Sequence, residues 1–191
     1  GAVPAVLRYS LGGRYLLGSS GEGLFSEGSS DDSIRVWDTE LPGSGPVTRV
    51  RSIGRPYYLD LGPDLRTFAV GTSAGTLFLY DLEDSSAEVR RLVRADRGED
   101  NVIGSTFFKA HSSPIRAGAF SSDGARLYTA GGDPQDATQE SGFAIWDLKA
   151  LAEIRRVVGR GHSIQSLSLS ADEAHLVVAT SVGQLEVWAL R

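Results

Sequence analysis

Gly142-Phe143-Ala144-Ile145-Trp146-Asp147 is a short run of β-favouring residues that closes on an aromatic followed by an acid. The same ending recurs at Ser33-Ile34-Arg35-Val36-Trp37-Asp38, at Thr76-Leu77-Phe78-Leu79-Tyr80-Asp81 and at Gln184-Leu185-Glu186-Val187-Trp188-Ala189, where Ala replaces the acid. The aromatic landmarks stand at positions 37, 80, 146 and 188, separated by 43, 66 and 42 residues. Two of these intervals match the period of a repeated four-stranded unit, about 40 to 45 residues, and the middle one is that period plus an insertion. A unit that cannot bury its apolar face alone must stack on its neighbours, so the recurrence moves the question from catalysis to binding.

Upstream of each landmark the same order returns: an alternating strand, a tight turn and a second strand. The turns are Gly12-Gly13, Gly62-Pro63-Asp64, Ser121-Ser122-Asp123-Gly124 and Ser170-Ala171-Asp172-Glu173, all built of turn-favouring residues. Gly at 23 residues against 7 Pro, without long helix-like stretches, points the same way, to many short strands and an all-β fold. At 191 residues, 41% of them hydrophobic, the chain is long and apolar enough to bury a core.

Composition removes several function classes. Without cysteine there are no disulfides, Cys-based zinc sites or thiol nucleophiles. Three His without His-Glu-x-x-His spacing do not make a metal site, and no cofactor is expected. Ser121-Ser122-Asp123-Gly124 lacks the Gly-x-Ser-x-Gly elbow of a nucleophile, and the Gly-rich stretches at 21–28 and 131–132 lack the Lys of a phosphate loop. A net charge of -5 counts against nucleic acid, and the sequence shows neither a long apolar run nor a signal peptide. The expectation is an intracellular protein, cytoplasmic or nuclear, without a membrane span. Methionine is absent, including at position 1, which points to a processed, truncated or engineered chain.

The most complete unit runs from Ala110-His111 through Ile115-Arg116-Ala117-Gly118-Ala119-Phe120 and Leu127-Tyr128-Thr129-Ala130-Gly131 to Trp146-Asp147, with Gly161-His162, Leu176 to Thr180 and Trp188 as its counterpart. On these residues the chain resembles the WD-repeat β-propeller family. The resemblance implies an all-β propeller of four-stranded antiparallel blades, with strands a to d counted outward from a central channel. Blade one then covers 5–53, blade two 56–94, an insertion 95–114, blade three 115–158 and an incomplete blade four 163–190, which lacks its outer strand. Family rings commonly carry about seven blades. The expectation is therefore the C-terminal part of a larger propeller, its open edges completed by another segment, a second copy or a partner that inserts a strand.

The resemblance also implies that the conspicuous His, Trp and acid residues are a structural framework rather than catalytic. His111, Thr129 and Trp146 match it in blade three, Asp31 and Trp37 in blade one, Tyr80 in blade two, and His162 and Trp188 in blade four. In a propeller of this family the b–c and d–a connections share one face, the top. The three longest connections, 21–32, 95–114 and 133–141, all fall in those classes. Long loops on a rigid scaffold carry binding residues, and Leu24, Phe25, Val102, Ile103, Phe107, Phe108 and Lys109 are the apolar anchors, with one adjoining cation, expected to meet a protein partner there.

The leading expectation is a noncatalytic protein-interaction scaffold, a subunit of a multiprotein assembly. One alternative is contact with RNA or DNA through an arginine-rich outer rim, formed by Arg49, Arg51, Arg90, Arg91, Arg94, Arg155 and Arg156 on predicted d strands. Charge on such edge strands also serves simply to block edge pairing. Another alternative is a substrate receptor of a cullin-type ubiquitin ligase, since Trp146-Asp147-Leu148-Lys149 resembles the Trp-Asp-x-Arg/Lys ending of such receptors. An enzyme would need acids, His or a metal near the channel, and strand-a residues such as Leu59, Ala117 and Leu167 offer little chemistry.

Overall fold

The computed structural model describes residues 4–20, 33–51, 55–84, 90–92, 110–133, 141–159 and 162–190, and among these described residues the alternating apolar positions separated by Asp- and Gly-bearing turns form sheets and no helices. The first sheet runs β1 (Pro4–Tyr9), β2 (Tyr15–Ser20), β3 (Ser33–Asp38) and β4 (Thr48–Arg51). The second runs β5 (Pro56–Leu61), β6 (Thr67–Thr72), β7 (Leu77–Asp81) and β8 (Arg90–Leu92). β9 (Ile115–Phe120), β10 (Arg126–Gly131), β11 (Ser141–Asp147) and β12 (Ala152–Gly159) make the third. The fourth holds β13 (Ile164–Leu169), β14 (His175–Thr180) and β15 (Leu185–Ala189). Each sheet is an antiparallel meander in sequence order, consistent with the blades of a β-propeller. Among the described residues no helix is long and apolar enough to cross a membrane.

The two recurrent turns explain the sequence pattern. Between the first two strands of each sheet, the fourth turn residue takes a left-handed conformation: Gly13 (φ 76°), Leu65 (54°), Gly124 (68°) and Glu173 (55°). In the third sheet Asp123 accepts from the Ser121 hydroxyl at 2.6 Å and the Ala125 amide at 2.9 Å, and Asp172 repeats this with Ser170 and Ala174. Those hydroxyl bonds hold both carboxyls below the usual carboxylate range. The acid after the aromatic closes the following turn: Asp38 accepts from the Glu40 amide, Asp81 from Glu83 and Asp84, and Asp147 from Lys149 and Ala150. The Trp-Asp ending is thus a strand end joined to an Asx turn.

Packing between sheets follows from register. Strands β1, β5, β9 and β13 form the inner edges, each packed on the next. Phe68 and Tyr80 stack at 5.0 Å in a core shared with Leu17, Ile34 and Val36 of the first sheet. A second core joins Leu77 and Leu79 to Leu127 and Trp146, and a third joins Tyr128 and Phe143 to Leu176 and Val178. In the second, third and fourth sheets the landmark aromatic therefore faces the preceding sheet. The outer faces of the two end sheets leave apolar side chains in the open, Leu7 and Tyr9 at one end and Leu185 (73%) and Val187 (66%) at the other.

Candidate functional site

The connection that precedes the third sheet returns to described backbone at Ala110 and His111. Its landing place is the β6–β7 turn of the second sheet, where Gly75 (φ 79°) accepts at its carbonyl from both the Ala110 and His111 amides at 2.9 Å. A Cβ on Gly75 would lie 2.2 Å from the His111 carbonyl oxygen, so this close approach requires glycine. Beneath it the Thr72 and Thr76 hydroxyls meet at 2.5 Å, fixing the turn.

From this base a relay descends into the third sheet. Thr129 on β10 is fully buried, and its hydroxyl oxygen accepts from the Trp146 indole N–H at 2.8 Å and lies 2.9 Å from His111 Nε2. On the other side of the imidazole, Arg156 Nη1 stands 3.5 Å from Nδ1. A guanidinium only donates, which makes Nδ1 the acceptor and leaves the Nε2 proton for Thr129. Arg156 also donates to the Ala110 carbonyl at 2.6 Å, lies 5.9 Å from the Trp146 ring centroid, and pairs with Glu153 at 2.7 Å, both side chains being nearly buried. Loop backbone, imidazole, hydroxyl, indole and ion pair are thereby joined in one network, where an unmet buried donor costs about 1 to 3 kcal/mol.

The outer-strand arginines divide accordingly. Arg155 is exposed, as a rim residue should be, but Arg156 points inward and is spent on His111, Ala110 and Glu153. The irregular register between Ile145 and Trp146 on β11 accompanies this: Trp146 pairs with Glu153, and Arg156 leans across the indole. Sequence reading places Arg156 on the solvated rim because strand alternation alone does not show which face the next sheet covers.

The other framework candidates are not assembled this way. In the second sheet Tyr80 is buried against Phe68 and Phe78. Trp37 is half-buried on the outer face of the first sheet, its ring over Gly18. In the fourth, His162 is exposed, Trp188 donates to Glu186 at 3.2 Å, and its ring meets Phe143 edge-on at 5.4 Å. Register places Val178 where β10 carries Thr129, and Thr180, two residues further on, accepts from the Gln184 amide. Asp31, Leu24, Phe25, Val102, Ile103, Phe107, Phe108, Lys109 and Arg94 lie outside the described residues.

What the geometry provides is a rigid base at one end of the sheets. Register puts Ile115, Gly131, Gly142 and Val158 level with one another, so the connections into β9, between β10 and β11, and after β12 leave from a common edge. At the opposite end the turns of the first three sheets gather around a cavity of 460 Å³. Sequence reading passed over this second feature; the signal available was Asp60, a lone acid in an otherwise apolar inner strand. The family model for the WD40 repeat, described as WD domain, G-beta repeat, matches residues 103–135, a span that includes His111, β9, Thr129 and β10. A WD repeat is therefore present in this region, consistent with a WD-repeat family, whose repeats generally act as noncatalytic modules that bind other proteins.

Proposed function

We propose that this chain is a scaffold subunit of a multiprotein assembly and that it engages partner subunits mainly through the 21–32, 95–114 and 133–141 connections. Leu24, Phe25, Val102, Ile103, Phe107, Phe108 and Lys109 supply the contact side chains in this reading. The observation that carries it is the clamping of Ala110 and His111 onto Gly75, Thr129 and Arg156, immediately after Lys109. A binding loop is most effective when its ends are held, because less conformational entropy remains to be lost on association. The network has no nucleophile–base pair facing a cleft; its polar groups are consumed in bracing one another.

A photo-crosslinking amino acid placed at position 107 in the whole chain, compared with one at the exposed Arg155 on the outer strand, tests this. The expected result is a discrete protein adduct from position 107, lost on Phe108→Ala, and none from position 155. Adducts from position 155 alone, or turnover of a substrate by the purified chain, would overturn it.

A further inference from the structure

Where β1, β5 and β9 end, the turns of the first three sheets surround the 460 Å³ cavity, and Asp60 on β5 faces it. Asp60 is largely buried, with a side-chain exposure of 14%. Its Oδ2 accepts from the Tyr58 hydroxyl at 3.4 Å and its Oδ1 from the Leu61 amide at 3.1 Å. The nearest cation, Arg8, stands 3.6 Å away with a side-chain exposure of 56%. The Tyr58 and Arg8 contacts are long for a carboxylate, which can accept about four hydrogen bonds and forms its tight ion pairs at about 2.7 to 2.9 Å. Burial raises the Asp60 carboxyl above its ordinary range, with Arg8 pulling the other way, so its neighbours do not replace the solvation it has lost.

Two donors at the cavity's edge are already spent on carboxylates. The Ser121 hydroxyl, a potential anion donor, is turned onto Asp123 at 2.6 Å. The Ser122 amide is taken by Glu173 at 2.5 Å, reaching across from the fourth sheet. Leu11, exposed to 78%, lines the cavity together with Phe120 and Leu61. Tyr58, which donates to Asp60, packs on Gly118, where any Cβ would meet the Tyr58 ring at 2.6 Å and the Tyr128 carbonyl at 2.7 Å.

We propose that this cavity is a docking pocket for a basic side chain of a peptide partner, an arginine that forks onto Asp60 with an adjoining apolar residue laid on Leu11. The incoming guanidinium displaces Arg8 into solvent and supplies the two parallel hydrogen bonds that Arg8 does not make. This site is at the opposite end of the sheets from the connections assigned above, and its test is independent of theirs.

Titration of the whole chain with acetyl-Leu-Arg-amide, followed by amide chemical shifts, reads the pocket directly, with acetyl-Leu-Glu-amide as the control. The expected result is saturable shifts at Leu61, Ala119 and Phe120 with the arginine peptide alone, weakening as salt is raised. Asp60→Asn is expected to weaken binding at least about tenfold, and Arg8→Ala to strengthen it several-fold by removing the competing cation. The variants' own spectra show that the fold is kept. Absence of shifts up to about 10 mM peptide, equal binding of the glutamate peptide, or weaker binding on Arg8→Ala would overturn the proposal.

Discussion

The third and fourth sheets share most of their letters, a His ahead of the first strand, a Ser-x-Asp turn and a Trp ending the third strand, yet they are held together differently. In the third, His111, Thr129 and Trp146 form one buried network capped by Arg156 and Glu153 of β12. In the fourth, Trp188 is half-exposed, its indole donates to neighbouring Glu186, and His162 stands in solvent. The difference is twofold: β14 carries Val178 at the register position of Thr129, so the Trp188 indole lacks that acceptor, and the outer strand differs. β12 brings an arginine and an acid over the indole and shuts out water; no described strand does so beside β15, where Leu185 and Val187 are open. The residues present decide which of these bonds can form, and burial decides whether they must.

This contrast is open to direct attack by substitution. Trp146→Ala is expected to destabilise by about 3 to 5 kcal/mol in a denaturant titration, whereas Trp188→Ala costs about 1 to 2 kcal/mol, since much of that ring already meets water. Equal losses would mean that the two sheets are braced alike. Next in size, Glu153→Ala strands the nearly buried Arg156 and is expected to cost about 3 kcal/mol, while Arg155→Ala on the same strand stays within about 0.5 kcal/mol. A neutral Glu153→Ala would remove the ion pair from the account.

Thr129→Val keeps the shape and deletes the acceptor shared by the indole and imidazole. The expected loss is about 2 kcal/mol, with Thr180→Val below about 1 kcal/mol, and hydrogen exchange at Ala110 and His111 should quicken only in the first variant. The smallest effect is on pH dependence. Because burial raises the Asp60 carboxyl, the folded state holds that proton more tightly than the unfolded chain, and stability falls as pH climbs above the ordinary carboxylate value. Asp60→Asn should abolish that fall. Asp123 and Asp172 have the opposite sign: their lowered carboxyls stabilise fully above the ordinary value, and that contribution is lost as pH drops below it. Melting temperatures across a pH series separate the two.

Much of the architecture was legible because it depends on local chemistry. Alternation set the strands, and Ser-x-Asp and the aromatic-Asp ending set turns whose hydrogen bonds are made within a few residues. The partnership of Arg156 with His111 and Ala110, across 45 and 46 residues, left no local trace. Gly75 looked like any turn glycine, although its φ and its contact with the His111 carbonyl make it the seat of the neighbouring connection. Asp60 was visible as a lone acid, but only the convergence of three sheets shows that a cavity lies before it.

By itself the sequence determined an all-β array of repeated sheets, the positions of its turns and the residues able to brace it, since those follow from backbone preference and from hydrogen bonds between near neighbours. Tertiary structure alone decided which braces close, which arginine faces inward and where a carboxylate loses its water. Each of these depends on what a neighbouring strand or sheet covers, and burial is a property of the assembled fold rather than of any segment.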